Sequence, residues 1–310
     1  FLLFSILTSE NPNVSIDATQ GGNTKKLNVV FNSDQDGSGG GAIVLNTGSA
    51  IKSNGGNIAL GGGTAGDGSG NAQGYSAAKH GLTLHPGTIL NAAGGNIALN
   101  GAGYADAVCS NNCWGILTIA SSISTTGSGS IIVNGVGGGN GGTTFNSGMQ
   151  LTNGTTVTSI DGDISVTGKV IETGSGAGAI VLANNSSLTT SGSGNINLTQ
   201  VGNLGFGFLA YGSTSTVNSD HNLIYTAKSF DPTTAQYTWS ATNNITIQPN
   251  AVGGTVGVGS MGGTLAVGDL LLNKMSAPTF NFGSATSGLV AISTAHDFGN
   301  SQVNVRSGAD

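Results

Sequence analysis

GAIVLNTGSAIKSNGGNIALGG, residues 41–62, decides the fold, because four more stretches repeat its phrasing. They are GLTLHPGTILNAAGGNIALNG (81–101), GILTIASSISTTGSGSIIVNG (115–135), GMQLTNGTTVTSIDGDISVTG (148–168) and GAIVLANNSSLTTSGSGNINLT (178–199). Within each copy three short apolar segments alternate with polar residues, centred on Ile43, Ile51 and Ile58 in the first and on Ile180, Leu188 and Ile196 in the fifth. Alternation over four residues is the strand period, so each copy reads as three strands. A corner precedes the third strand every time: Gly55 to Asn57, Gly94 to Asn96, Gly129 and Ser130, Gly162 and Asp163, Gly194 and Asn195. Such residues tolerate left-handed backbone at a sharp turn, and Asn or Asp stacked there can hydrogen-bond to the copies above and below. Three strands and three corners, repeated, describe a coil, with a meander of hairpins as the alternative.

Working outward, composition agrees. Gly supplies 55 of 310 residues, and with Asn, Ser and Thr it makes up half the chain. The hydrophobic share of 37% is enough for a core, which separates this composition from that of disordered segments. Charged residues are only 7%, including one arginine, Arg306; solvent-facing helices need Glu, Lys and Arg, so a helical bundle is excluded. A net charge of −6 with eight basic residues argues against nucleic-acid partners, which bind through clustered cations. No apolar run approaches the 18 or so residues of a membrane span.

The chain therefore reads as an all-β protein, one continuous parallel β-helix over residues 1–310. Regular repeats cover about 41–200 and looser coils 201–310. A coil takes about 20–25 residues once inserts are trimmed, and a dozen coils spaced 4.8 Å apart make a rod on the order of 60 Å long. Variable inserts such as residues 61–80 and 101–114 interrupt the phrase, as loops do in solenoids. Ile58, Ile97, Ile131, Ile164 and Ile196 are expected to form an inward stack. In the looser half, strands are expected at 222–226, 237–239, 244–248, 255–258, 264–267 and 289–293. The run 267–275 reads as strand or loop, with a short helical turn as the alternative.

Candidate chemistry is sparse. Cys109 and Cys113, in CSNNCWG, suit a local disulfide in an exported protein, with free thiols as the alternative. The four histidines lack metal spacing. Asp34 and Asp36, in DQDGSGGG, resemble part of a calcium loop, but the downstream bidentate Glu is missing; a solvated turn is the simpler reading. Tyr75, Tyr104, Trp114, Tyr211, Tyr225, Tyr237 and Trp239 offer either sugar-stacking surfaces or core and loop anchors. No nucleophile, base and orienting acid group together, so no catalytic residue and no cofactor is expected.

The phrase at 41–63, the approach at 75–84, TVGVGSMGGTLAVGDLLL (255–272) and TAHDFGNSQVNV (294–305) resemble the large secreted adhesins of the filamentous haemagglutinin type. The resemblance implies a right-handed parallel β-helix, export through an outer-membrane pore as part of a longer chain, and display at the bacterial cell surface. Asn11, Pro12 and Asn13 begin that family's Asn-Pro-Asn-Gly secretion motif, but Val14 replaces its glycine. The expected function is a non-enzymatic stalk or adhesive segment whose partners are neighbouring β-helix segments and host-cell or matrix glycans or proteins. The alternatives are a polysaccharide lyase or hydrolase on the same scaffold and a structural subunit of an extracellular filament or sheath.

Overall fold

Each copy contributes one strand to each of three parallel sheets. The computed structural model describes residues 2–4 (backbone only), 13–22, 24–106, 109, 112–139, 145–171, 176–231, 236–259, 262–293 and 296–308; Asn11 and Pro12 of the partial secretion motif lie outside these. In the first copy the strands are Ile43–Leu45, Ala50–Lys52 and Ile58–Gly62, and they open sheets I, II and III respectively. Every pairing within the three sheets joins successive turns in parallel, so the chain is a parallel β-helix. Sheet III runs through eleven strands along its main path, from Leu2–Phe4 to Gln302–Arg306, a rod of roughly 50 Å at about 4.8 Å per strand. A turn takes as few as 22 residues, between Asn222 and Asn244, and as many as 39, between Asn57 and Asn96.

Register does not slip along sheet III. Val29, Ile58, Ile97, Ile131, Ile164, Ile196, Leu223, Ile245 and Phe280 stack directly. From Val29 to Phe280 every member of this column is buried. Burying such a side chain contributes about 1.5–3 kcal/mol, and a one-residue slip would turn the whole column to solvent.

The corner before sheet III shows why its residues are what they are. Asn57 donates its amide N–H to Asn28 Oδ1 one turn below, Asn96 to Asn57 Oδ1, Ser130 to Asn96 Oδ1 and Asn195 to Asp163 Oδ1, each at 2.8–2.9 Å. This is the polar ladder expected of the corners. The glycines have a second reason to be there. Gly55 and Gly94 take left-handed φ of 91° and 108°, but Gly95, Gly129, Gly162 and Gly194 do not; a Cβ on any of these four would overlap the carbonyl oxygen of the glycine one turn below. Close backbone approach, more than handedness, fixes that column.

Two further columns line the interior corners. Ser53, Thr125, Ser159 and Thr190 are buried and donate their hydroxyls to the corner carbonyls of Gly56, Gly95, Gly129 and Gly194 at 2.6–2.9 Å. Between sheets I and II, Thr88, Thr155 and Ser186 do the same for His85, Thr152 and Ala183. These hydroxyls supply inward-facing donors to the corner carbonyls, where polar groups need partners; the carbonyls of His85 and Thr152 also accept backbone N–H groups, and that of Gly194 the Ser219 hydroxyl.

A sixth full turn follows the five copies, with strands Phe206–Tyr211, Ser215–Ser219 and Asn222–Ala227. Sheet I ends there. Strands Tyr237–Ala241, Asn244–Pro249, Val256–Val258, Leu265–Val267 and Val290–Ile292 occupy the expected segments of the second half, the last three and their parallel pairings forming a small fourth sheet. The expectation of strand or loop across 267–275 is corrected: Asp269–Leu272 is one helical turn, started by the extended Gly268, with Leu271 and Leu272 buried. Adjacent leucines need one face of a helical turn to reach the core together, and alternation would have turned one of them outward.

Candidate functional site

In the six turns from Ile43 to Ala227 the long connections leave sheet III and return in sheet I, whereas the other two corners take two to six residues. The inserts therefore collect along one edge of the rod. The first folds back on itself: Gly62 N donates to Gly70 O at 2.7 Å, and Asn32 Oδ1 accepts from Gly68 N at 3.0 Å. Gln73 and Gly41 exchange two backbone hydrogen bonds at 2.9 Å. The second insert docks on the first through Tyr104 N, which donates to Lys79 O at 2.8 Å.

Where these segments meet lies a cleft of about 420 Å³ lined by Gly39, Gln73, Tyr104, Ala105 and Asp106. Tyr104 donates its phenol to Asp106 Oδ2 at 2.8 Å, and this bond, before burial, holds the phenol above its ordinary pKa. The carboxylate is thereby oriented at the cleft. Gln73 Nε2 donates to Gly103 O at 2.9 Å, which fixes the amide with Oε1 as its remaining polar atom. Tyr75, 38% exposed, stands beside Gly40, next in the chain to the lining Gly39.

Beside the cleft sits a rigid anchor. Cys109 and Cys113 form a disulfide with Cα atoms 6.2 Å apart, and both are buried. Asn146 clasps the bridge from the third insert: its Oδ1 accepts from Cys113 N at 3.0 Å and its Nδ2 donates to Cys109 O at 3.4 Å. Trp114 stacks on His80 with ring centres 4.9 Å apart and planes 8° from parallel. The Trp114 amide donates to His80 Nδ1 at 3.3 Å, which requires a neutral imidazole protonated on Nε2. Burial first, then the nearby His85 and Lys79 charges, push the His80 pKa down to about 4.

The other sequence candidates fall elsewhere. Asp34 Oδ1 accepts from Gly39 N at 2.9 Å and Asp36 Oδ1 from Ser38 N at 3.2 Å, so both carboxylates close their own turn; the Ser38 hydrogen bonds hold Asp36 below the usual carboxylate range. No group of three or more His, Cys, Asp or Glu side chains suited to a metal occurs among the described residues. Ile58, Ile97, Ile131, Ile164 and Ile196 lie in the core column and not at the site. Of the seven aromatic residues read as either sugar-stacking surfaces or core and loop anchors, Tyr225, Tyr237 and Trp239 are core anchors, each buried. Tyr211 is half-buried and its hydroxyl accepts from Gln150 Nε2 at 2.6 Å.

Sequence reasoning passed over Gln73, His80 and Asn146. A signal for His80 was present: it precedes Gly81 as Trp114 precedes Gly115, so aligning the copies already stacks the two rings in one column. No family model, no curated protein and no solved structure matches this chain.

Proposed function

We propose that this chain is a non-enzymatic stalk or adhesive segment of a bacterial surface-exposed secreted adhesin of the filamentous haemagglutinin type. The observation that carries the reading is the unslipped sheet III column from Val29 to Phe280, with the long inserts of the five copies at one corner. This geometry suits a stiff spacer that presents an edge of variable loops. Export and display at the cell surface follow from the sequence resemblance, and the buried disulfide accords with an oxidising compartment.

The carboxylates support a non-catalytic role. Glycoside hydrolysis needs two carboxyl groups facing each other across a bond. Here Asp161 and Asp163 share one corner, but each is taken up by the next turn, Asp161 accepting from Ser193 and Asp163 from Asn195, while Asp17 accepts from Thr19 and Lys52 and Asp106 from Tyr104 in other segments.

The test is binding of the whole chain to host cells and immobilised matrix glycans and proteins, run beside turnover on acidic and neutral polysaccharides. Binding without turnover is expected. Turnover abolished by a single Asp→Asn change would establish the enzyme reading instead, and neither binding nor turnover would leave a spacer or filament subunit.

A further inference from the structure

We infer that the cleft between the Asp34–Gly39 turn and the first two inserts is a binding site for a neutral sugar residue. The inference rests on the adhesive reading and names the ligand class for that edge of the rod. Its volume, about 420 Å³, falls in the range of small-molecule sites, about 300–1,000 Å³.

The chemistry of the lining selects the ligand. Asp106 is a carboxylate, an acceptor in up to four directions, and Tyr104 holds it in place from two residues away. Gln73 spends its amide N–H on Gly103 O, so its Oε1 is the atom left for a ligand donor; among the described residues it accepts nothing. A lining of fixed acceptors calls for a ligand rich in O–H donors. Adjacent hydroxyls on a pyranose ring can be shared between a carboxylate and an amide carbonyl, while the ring's C–H face packs on a phenol such as Tyr75 or Tyr104. An anionic ligand is disfavoured, because among the described residues no cation lines the cleft and Asp106 would repel it. A cationic peptide is the competing occupant. It would gain from Asp106, yet one carboxylate already bonded to a phenol is thin provision for a partner recognised by charge.

The site is pre-formed, which matters for affinity because ordering a loop on binding is costly. The Gln73–Gly41 backbone pair, the Tyr104 N to Lys79 O bond and the Tyr104 O to Gly139 N bond at 2.6 Å tie the three lining segments to one another and to the third insert.

The experiment is saturation-transfer difference NMR on the whole chain with the methyl glycosides of galactose, mannose and N-acetylglucosamine, with sialic acid and a lysine-rich peptide as charged comparators. At least one neutral glycoside should receive saturation at its ring C–H protons. Asp106→Asn should weaken that binding about tenfold or more, and Ala105→Trp, which fills the cleft from an exposed position, should abolish it, with unchanged circular dichroism melting in both. The proposal fails if no neutral glycoside binds, if binding survives both substitutions, or if only a charged probe competes. Cell binding by Ala105→Trp separates the two readings: retained cell binding without glycoside binding overturns the cleft alone, whereas a native chain that binds neither cells nor glycosides overturns both.

Discussion

The first five copies and the stretch from Phe206 to Phe282 solve the same packing problem differently. In the copies, three walls enclose an interior filled mainly by Ile, Leu and Val, with one Met and Ala92, as in the column Ile43, Leu82, Ile116, Met149 and Ile180 of sheet I. After Phe206–Tyr211 that wall stops, and Phe208 continues only as an isolated bridge to Phe230. Rings take over the vacated section: Trp239 lies 5.0–5.4 Å from Phe208, Tyr225, Phe230 and Tyr237. A regular solenoid can be filled with identical aliphatics because its cross-section repeats. Where a wall is lost, larger and less regular volumes need aromatics to keep native density. The rings also carry polar ends that serve irregular backbone: Tyr225 donates to Ser229 O at 2.6 Å and Tyr237 to Leu271 O, in the helical turn, at 3.3 Å.

The harshest challenge to the aliphatic half is Ile97→Asp. Ile97 is fully buried between Ile58 and Ile131, and an unpaired buried charge is among the few changes that exceed about 4–5 kcal/mol. The turns from 58 to 136 should lose protection in hydrogen exchange and become protease-sensitive, while residues beyond 206 stay protected, because a solenoid couples neighbours first. Uniform loss along the chain would show that the two halves are one cooperative unit.

The aromatic half is tested by a pair at Trp239. Trp239→Ala should cost about 3–5 kcal/mol by cavity formation. Trp239→Phe should cost no more than about 1 kcal/mol, since it also removes Nε1, a buried N–H with no partner among the described residues, and an unsatisfied buried donor itself costs about 1–3 kcal/mol. Chemical denaturation followed by circular dichroism distinguishes them; equal losses would mean that the indole N–H is satisfied in solution.

The same contrast explains what the sequence made legible. Copies that alternate small apolar residues with corner Gly and Asn announce three strands at once, and Ile58, Ile97, Ile131, Ile164 and Ile196 could be aligned by eye. Beyond Val201 the interior marker changes from Ile and Leu to Tyr225, Trp239 and Phe282, residues that serve equally in cores, loops and binding surfaces, so the sixth turn did not stand out. GDLLL hides its helical turn because three consecutive leucines satisfy any period. The buried Ser53, Thr125, Ser159 and Thr190 were illegible for another reason: Ser and Thr read as turn residues, and nothing local reveals that these hydroxyls point inward to carbonyls. The cleft was least legible of all, since Gly39, Gln73 and Asp106 come from three separated segments that only the coiling brings together.

The insert edge answers to pH where the two cores should not. His80 is neutral, stacked on Trp114, with its pKa at about 4 against an ordinary 6.5. Because the folded pKa is the lower one, the stabilisation is complete above about pH 6.5 and is lost as pH falls toward 4; protonating His80 in place costs up to about 3 kcal/mol. Local opening of the inserts can relieve that cost without unfolding the rod. In a Trp239→Phe background, Trp114 fluorescence should shift between pH 6.5 and 4 while the far-ultraviolet spectrum holds. A His80→Phe variant should keep the stack and lose the shift; the same shift in that variant would assign it to another group.

The smallest effect is expected at Ser69, at the tip of the first insert. Its amide donates to Asp67 Oδ1 at 2.9 Å, and its hydroxyl is the first cause of the lowered Asp67 pKa, but the residue is exposed and touches neither core nor cleft. Ser69→Ala keeps the amide and gives up only the hydroxyl, so stability should change by less than about 0.5 kcal/mol. The Asp67 pKa should rise toward its ordinary value, a change that NMR titration of the carboxylate reads directly. Stability is thus separable from local charge at this position, as it is not at Ile97. A Ser69→Ala variant that destabilised turns 58–136 would mean that the insert buttresses the coil and is not merely carried by it.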